Sequence, residues 1–266
     1  MSTNAMGWTW ARDQPRHDTT GAAGDVNGGQ HADQPRPGSA ATATGEHSAR
    51  PLEAGQDGSG RNTGGDGLFG AHATTGTRQV ALTFDDGPDP RYTPQVLSLL
   101  RQFRVRASFC LIGENAQKNP DLVRAIVADG HTLCNHSWNH NLSLGKRSPA
   151  DIRADLLRTN AAIRAAVPDA PIVWYRQPGG MWTYSVVSVA RELGMTSLHW
   201  SVDPSDWQAP GAPRIAAAVT SRAAAGSVVL LHDGGGNRQG TVEALRRILP
   251  DLTSRFELEA LPVQAR

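Results

Sequence analysis

The chain has 266 residues, with 26 Lys and Arg against 25 Asp and Glu, a formal net charge of +1. That balance leaves no basic footprint for nucleic acid, and no run approaches the roughly 18 apolar residues that a membrane span needs. Hydrophobic residues at 39% allow one sizeable core, while a mean hydropathy of −0.40 and 28 glycines indicate that this core is unevenly spread along the chain.

Residues 1–77 are rich in Gly, Ala, Thr, Asp, Gln, Arg and Pro and show neither a helical nor a strand period. Such a segment buries too little apolar surface to offset its ordering entropy, so it reads as a disordered tail. Its histidines (His17, His31, His47 and His72) are scattered and receive no metal role. Residues 1–16 lack the apolar core of a secretory signal. The protein therefore either stays inside the cell or owes its export to a signal outside this sequence.

From residue 78 to 266 the pattern is that of one folded domain. QVALTF (79–84) reads as a strand ending in Asp85-Asp86-Gly87-Pro88. TPQVLSLLRQF (93–103) has helical spacing, with Thr93 as N-cap and Pro94 at the first position. RASFCLI (106–112) is a strand, NPDLVRAIVADG (119–130) a helix stopped by Gly130, and HTLCN (131–135) a short strand. SPADIRADLLRTNAAIRAAV (148–167) is a long helix capped by Ser148. A strand follows over 171–176, a helix over 183–194, a strand over 196–202, a helix over 213–226, a strand over 227–232 and a helix over 241–252; FELEAL (256–261) is a candidate last strand. This alternation predicts an α/β fold with a parallel sheet, either doubly wound or closed. Polar clusters follow five different strands, which favours a barrel or near-barrel with its chemistry at the C-terminal strand ends.

Two of those clusters carry metal or acid–base chemistry on their residue types alone. Asp85 and Asp86 are adjacent carboxylates, and a nearby cation would relieve their repulsion and leave one free as a base. The competing reading is a turn-capping pair before Gly-Pro. His136-Ser137-Trp138-Asn139-His140 sets two imidazoles four residues apart, on one face if the segment is a helical turn. Asp86 with His136 and His140 supplies one carboxylate and two imidazoles, a set that suits Zn2+ and also Co2+, Ni2+ or Fe2+, with positions open for water and substrate.

TFDDGP (83–88), HSWNH (136–140), RQPGG (176–180), DPSDW (203–207) and LLH (230–232) stand in the order and at the strand ends of the polysaccharide deacetylase family, the NodB-homology domain of carbohydrate esterase family four. The resemblance runs from about residue 79 to the C-terminus and leaves the tail without a counterpart. It implies a distorted (β/α) barrel holding a divalent metal, usually zinc, with Asp86, His136 and His140 as ligands. It further implies Asp85 as general base and Arg176 as its orienting partner, with His232 as general acid and Asp206 as the carboxylate that tunes it. Gly179 would offer its N–H to an oxyanion, and Trp207 and Leu230 would line the acetyl pocket. One departure is visible: the family's R-x-P-Y-G appears here as Arg176-Gln177-Pro178-Gly179-Gly180. The missing ring bears on the groove and not on the chemistry.

The implied activity is removal of acetyl groups from N-acetylglucosamine units of peptidoglycan or chitin-like chains, with an acetylated glycan as the partner of a monomeric enzyme in an extracellular or cell-wall setting. Competing readings are an O-deacetylase of acetylated xylan, a cytoplasmic small-molecule amide deacetylase and a non-catalytic glycan binder; the complete acid–base set argues against the last. Of Trp138, Trp174, Trp182 and Trp200, only Trp182, after Gly-Gly, is a groove candidate, and Asp233 reads as a loop cap. Cys110 and Cys134 end neighbouring strands, so either a disulfide or two buried thiols fits them.

Overall fold

A computed structural model describes residues 65–263. Of the tail expected over residues 1–77, residues 1–64 lie outside the described residues. Six strands, β1 Ala81–Asp85, β2 Ser108–Leu111, β3 Thr132–Asn135, β4 Trp174–Tyr175, β5 Thr196–Ser197 and β6 Val228–His232, form one sheet in the order β5-β4-β3-β2-β1-β6. Every ladder is parallel. Among the described residues seven α-helices supply the crossovers and the outer layer: α1 Thr93–Phe103, α2 Gly113–Lys118, α3 Pro120–Ala128, α4 Pro149–Ala166, α5 Tyr184–Glu192, α6 Ala212–Arg222 and α7 Gln239–Arg255.

The sheet curls toward closure, but its edge strands β5 and β6 do not pair with each other. β5 ends after two residues, and the chain beyond it crosses to β6, where Val202 bridges Val229. Lower down, the gap is filled by residues 72–75: His72 bridges Leu198 and Thr74 bridges Ser227. This is the distorted barrel expected from the sequence, and it corrects the boundary placed at residue 78. Residues 65–77 lack an apolar period because they bind through backbone hydrogen bonds, His72 N–H to Ser197 O and His199 N–H to His72 O. A single apolar anchor, Ala71, is fully buried.

Strand alternation separates two environments. Outward-facing Leu82, Phe84, Phe109, Leu111, Leu133, Tyr175, Val229 and Leu231 pack under the helices in the main core. The inward positions are smaller or polar: Ala81, Thr83 and Asp85 on β1, Ser108 and Cys110 on β2, Thr132 and Cys134 on β3, Val228 and Leu230 on β6. The barrel floor is closed by the C-terminal segment. Leu261 N–H donates to Ser108 Oγ, the Thr132 hydroxyl donates to Leu261 O, and the Trp174 indole donates to Pro262 O. FELEAL is thus a plug with one bridge, Leu258 to Val80, and not a full strand. Cys110 and Cys134 sit side by side in register on β2 and β3 and form a disulfide.

Local signals hold where side chains serve the backbone. Ser148 accepts the Asp151 N–H and Thr183 the Val186 N–H at the starts of α4 and α5. At α1 the expected cap moves: Asp89 accepts the Arg91 and Tyr92 N–H groups, while the Thr93 hydroxyl donates to Asp233. Helix α2 was not anticipated; its six residues carry no apolar period.

Candidate active site

The five polar strand ends gather at one mouth of the barrel. Asp85 is the last residue of β1 and continues the inward series Ala81, Thr83. Asp86 would point outward if the strand continued, but its φ of 72° turns its carboxylate back into the same cleft. His136 follows β3 on the inward side and is buried. The segment 136–140 is a turn and not a helical one as its spacing suggested, because Ser137 (φ 63°) and His140 (φ 59°) are left-handed. The turn still brings both rings to Asp86: each Nε2 lies 3.4 Å from Asp86 Oδ1.

Arg176 leaves β4 inward and is completely buried. Its NH1 donates to Asp85 Oδ1 at 2.7 Å and to Thr83 Oγ1 at 2.8 Å, and its remaining nitrogens donate to the carbonyls of Leu198 and His199. Its own carbonyl accepts the His136 Nδ1–H at 2.8 Å, which turns His136 Nε2 toward the carboxylates. The second oxygen of Asp85, Oδ2, stands 3.6 Å from that Nε2.

Across the cleft His232 ends β6 and donates from Nδ1 to Asp206 Oδ1 at 2.7 Å. Asp206 Oδ2 accepts the His232 N–H and the Thr241 hydroxyl, and Arg238 ties the Asp206 carbonyl to the Gly234 and Gly235 carbonyls. Burial works against the His232 imidazolium, but Asp206 outweighs it, with Asp86 and Asp85 adding to the pull, and the ring is raised to about 9. For Asp86, burial would raise the carboxyl, yet the adjacent His136 and the charges of His232 and His140 hold it well below the usual carboxylate range. His136 is raised because Asp85 and Asp86 overcome its burial; His140 is lowered by burial and by His136.

Of the remaining residues singled out in the sequence, Leu230 is buried on the inward face of β6, two positions below His232. Trp207 follows Asp206 and is 53% exposed at the rim. Gly179 is exposed with φ 60°, and a Cβ there would stand 2.8 Å from Leu142 Cδ2, so Leu142 borders the place where the family carries its ring. Trp182 is not at the groove: its indole is buried and donates to His199 Nδ1. Asp233 is more than a loop cap. It is fully buried, holds the Thr93 hydroxyl at 2.5 Å, and is pushed up to about 7 by burial and by the nearby Asp86, Asp89 and Asp85. Arg238 and Thr241, which steady Asp206, were missed because nothing in their local sequence points to a partner some thirty residues away.

The polysaccharide deacetylase family model matches residues 72–198. A chitooligosaccharide deacetylase of Bradyrhizobium is 42% identical over 71% of this chain and 91% of its own length. The chain belongs to the polysaccharide deacetylase family. A peptidoglycan-N-acetylglucosamine deacetylase of Bacillus cereus is 43% identical over 65% of this chain and 81% of its own. Among solved structures, a family 4 carbohydrate esterase from Streptomyces lividans, in complex with acetate, superposes with a TM-score of 0.63 at 34% identity, covering 68% of this chain and 91% of that one.

This polysaccharide deacetylase has the donor set its family's divalent metal requires. Asp86, His136 and His140 each offer one ligand atom, all within 4.8 Å of one another. The buried Asp86 Oδ1, 3.4 Å from each Nε2 atom, has no hydrogen-bond partner among the described residues. A buried carboxylate oxygen without a donor is costly, and a cation at that point satisfies it. The residues fit the metal. Among the described residues no helix is long and apolar enough to cross a membrane.

Proposed function

We propose that this enzyme removes acetyl groups from N-acetylglucosamine units of a peptidoglycan or chitin-like polysaccharide, with zinc held by Asp86, His136 and His140. The observation that carries the reading is the pairing of two unlike acid–base groups across one cleft: Asp85 on Arg176 and His232 on Asp206. Amide hydrolysis needs both, because the nucleophile must lose a proton and the leaving amine must gain one.

Zinc held there would supply Lewis acidity, polarising the acetyl carbonyl and lowering the pKa of water toward about 7. The rest falls to the chain. Asp85 has one oxygen fixed by Arg176, so the other accepts the proton of the attacking water. The exposed Gly179 N–H serves as donor to the developing oxyanion, a contact worth roughly 3–4 kcal/mol where such donors have been removed. His232 has its Nδ1–H committed to Asp206, so Nε2–H is the proton delivered to the amine. Leu230 floors the acetyl pocket and Trp207 forms its rim. The names of both sequence relatives support an N-acetyl substrate.

We place the working enzyme outside the cytoplasm, since disulfides such as Cys110–Cys134 persist in oxidising compartments. Cell fractionation that finds the protein only in the cytosol, with two free thiols, would refute that placement. The activity itself is tested by acetate release from chitooligosaccharides and from peptidoglycan with added zinc. Release that disappears with Asp85→Asn is expected; no release from any acetylated glycan removes the reading.

A further inference from the structure

We infer that Asp155, on α4 behind the 136–140 loop, is a positioning residue that sets the affinity of His136 and His140 for the divalent cation without touching it. The inference rests on the reading of those histidines as ligands. Their loop has two left-handed residues and no helical or strand ladder of its own, so its shape depends on what surrounds it.

The surroundings grip the loop at its centre, Trp138, two residues from each ligand. On one side the start of α2 donates: Gly113 N–H to Ser137 O at 3.0 Å and Glu114 N–H to Trp138 O at 2.9 Å. On the other, Asp155 Oδ1 accepts the Trp138 N–H at 2.8 Å. Arg158, one turn along α4, lays its guanidinium over the Trp138 ring, 3.6 Å from the centroid. A Cβ on Gly113 would come within 2.5 Å of Trp138 Cε3, so the ring already lies against α2 and has no room to tip that way. Trp138 is therefore a wedge between α2 and α4, and Asp155 is the one side chain that holds its backbone N–H.

The choice of substitution follows from a cleft of about 350 Å³ bounded by Trp138, Asn139, Asn141, Asp155 and Arg158. Truncation to alanine would let water take over the carboxylate's role, whereas Asp155→Leu fills the space with hydrocarbon and leaves the N–H without an acceptor. Asp155→Asn keeps an acceptor oxygen of the same reach.

The test is zinc affinity by competition with a chromophoric chelator, on the full chain, with melting of the zinc-free proteins as the fold control. Asp155→Leu should weaken zinc about 10–100-fold, the usual effect of losing a group that orients a ligand. Asp155→Asn should stay within about threefold of wild type and melt with it, while zinc-free Asp155→Leu should stay folded and melt only a few degrees lower, the cost of one unpaired N–H. Arg158→Gln removes an exposed side chain, leaves the core untouched and should weaken zinc about two- to fivefold. Wild-type affinity in Asp155→Leu or in Arg158→Gln overturns the inference, as does an Asn variant as weak as the Leu variant. If wild type and variants show the expected affinities but wild type releases no acetate, the proposed reaction fails and the positioning role stands.

Discussion

On one wall of the cleft Asp85 meets Arg176; on the other Asp206 meets His232. Both pairs are buried, both are joined at 2.7 Å, and both carboxylates come from or beside a strand end. They differ in the cation. Arg176 is permanently charged and spends its nitrogens on Asp85, Thr83 and two backbone carbonyls, so this pair is a fixed frame. His232 titrates, leaves Nε2 uncommitted and has its pKa raised by its partner, so this pair is a proton store. On the proposed reading, one fold would build a base and an acid from the same chemical elements by changing which partner can release a proton.

Breaking the fixed pair should cost most. Arg176→Leu leaves Asp85 buried without its partner, a defect of about 3–5 kcal/mol. Urea unfolding should show that loss, and a loss under about 1 kcal/mol would mean that Arg176 is not the frame. Breaking the proton store should cost the fold less, because Asp206 keeps the residue 232 N–H and the Thr241 hydroxyl, and should divide substrates. His232→Ala should slow release of acetate from an N-acetyl glycan by about 10²–10⁴-fold. It should slow an activated aryl acetate less than tenfold, because that leaving group needs no proton. Equal losses on both would remove His232 from the acid role.

The smallest change sharpens the comparison. Asp206→Asn keeps shape but removes the main upward influence on His232, which burial alone would lower. Activity on the amide should fall in wild type as pH rises through about 9, where the ring loses its proton, and in the variant at a lower pH. The same ring links to stability. Its folded pKa is raised, so its contribution is complete below about 6.5, the value in an unfolded chain, and is lost as pH rises through about 9. An alkaline limb that stays in place in Asp206→Asn would deny Asp206 its tuning role.

The barrel and its polar mouth were legible in the sequence because each cluster follows an apolar strand, and strand ends are where a parallel barrel presents side chains. The spacing of His136 and His140 pointed to one face, but it suggested a helical turn. The left-handed Ser137 and His140 cannot be read from residue type, since neither is a glycine. Asp86 raised the same difficulty: alternation sends it away from Asp85, and its positive φ brings it back. Arg238, Thr241 and Asp155 were invisible for a different reason. Their partners lie 32, 35 and 17 residues away in sequence, and no local period marks a hydrogen bond at that range. Residues 65–77 were set aside as tail because backbone bridging leaves no apolar signature.

The most direct test of the whole account is a zinc titration of chelator-stripped protein, followed by acetate release from a chitooligosaccharide. Activity should rise from near zero to a plateau at one ion per chain, and His140→Ala should abolish both the tight binding and the rise. Full activity in the stripped protein, or a plateau that survives loss of His140, would contradict it.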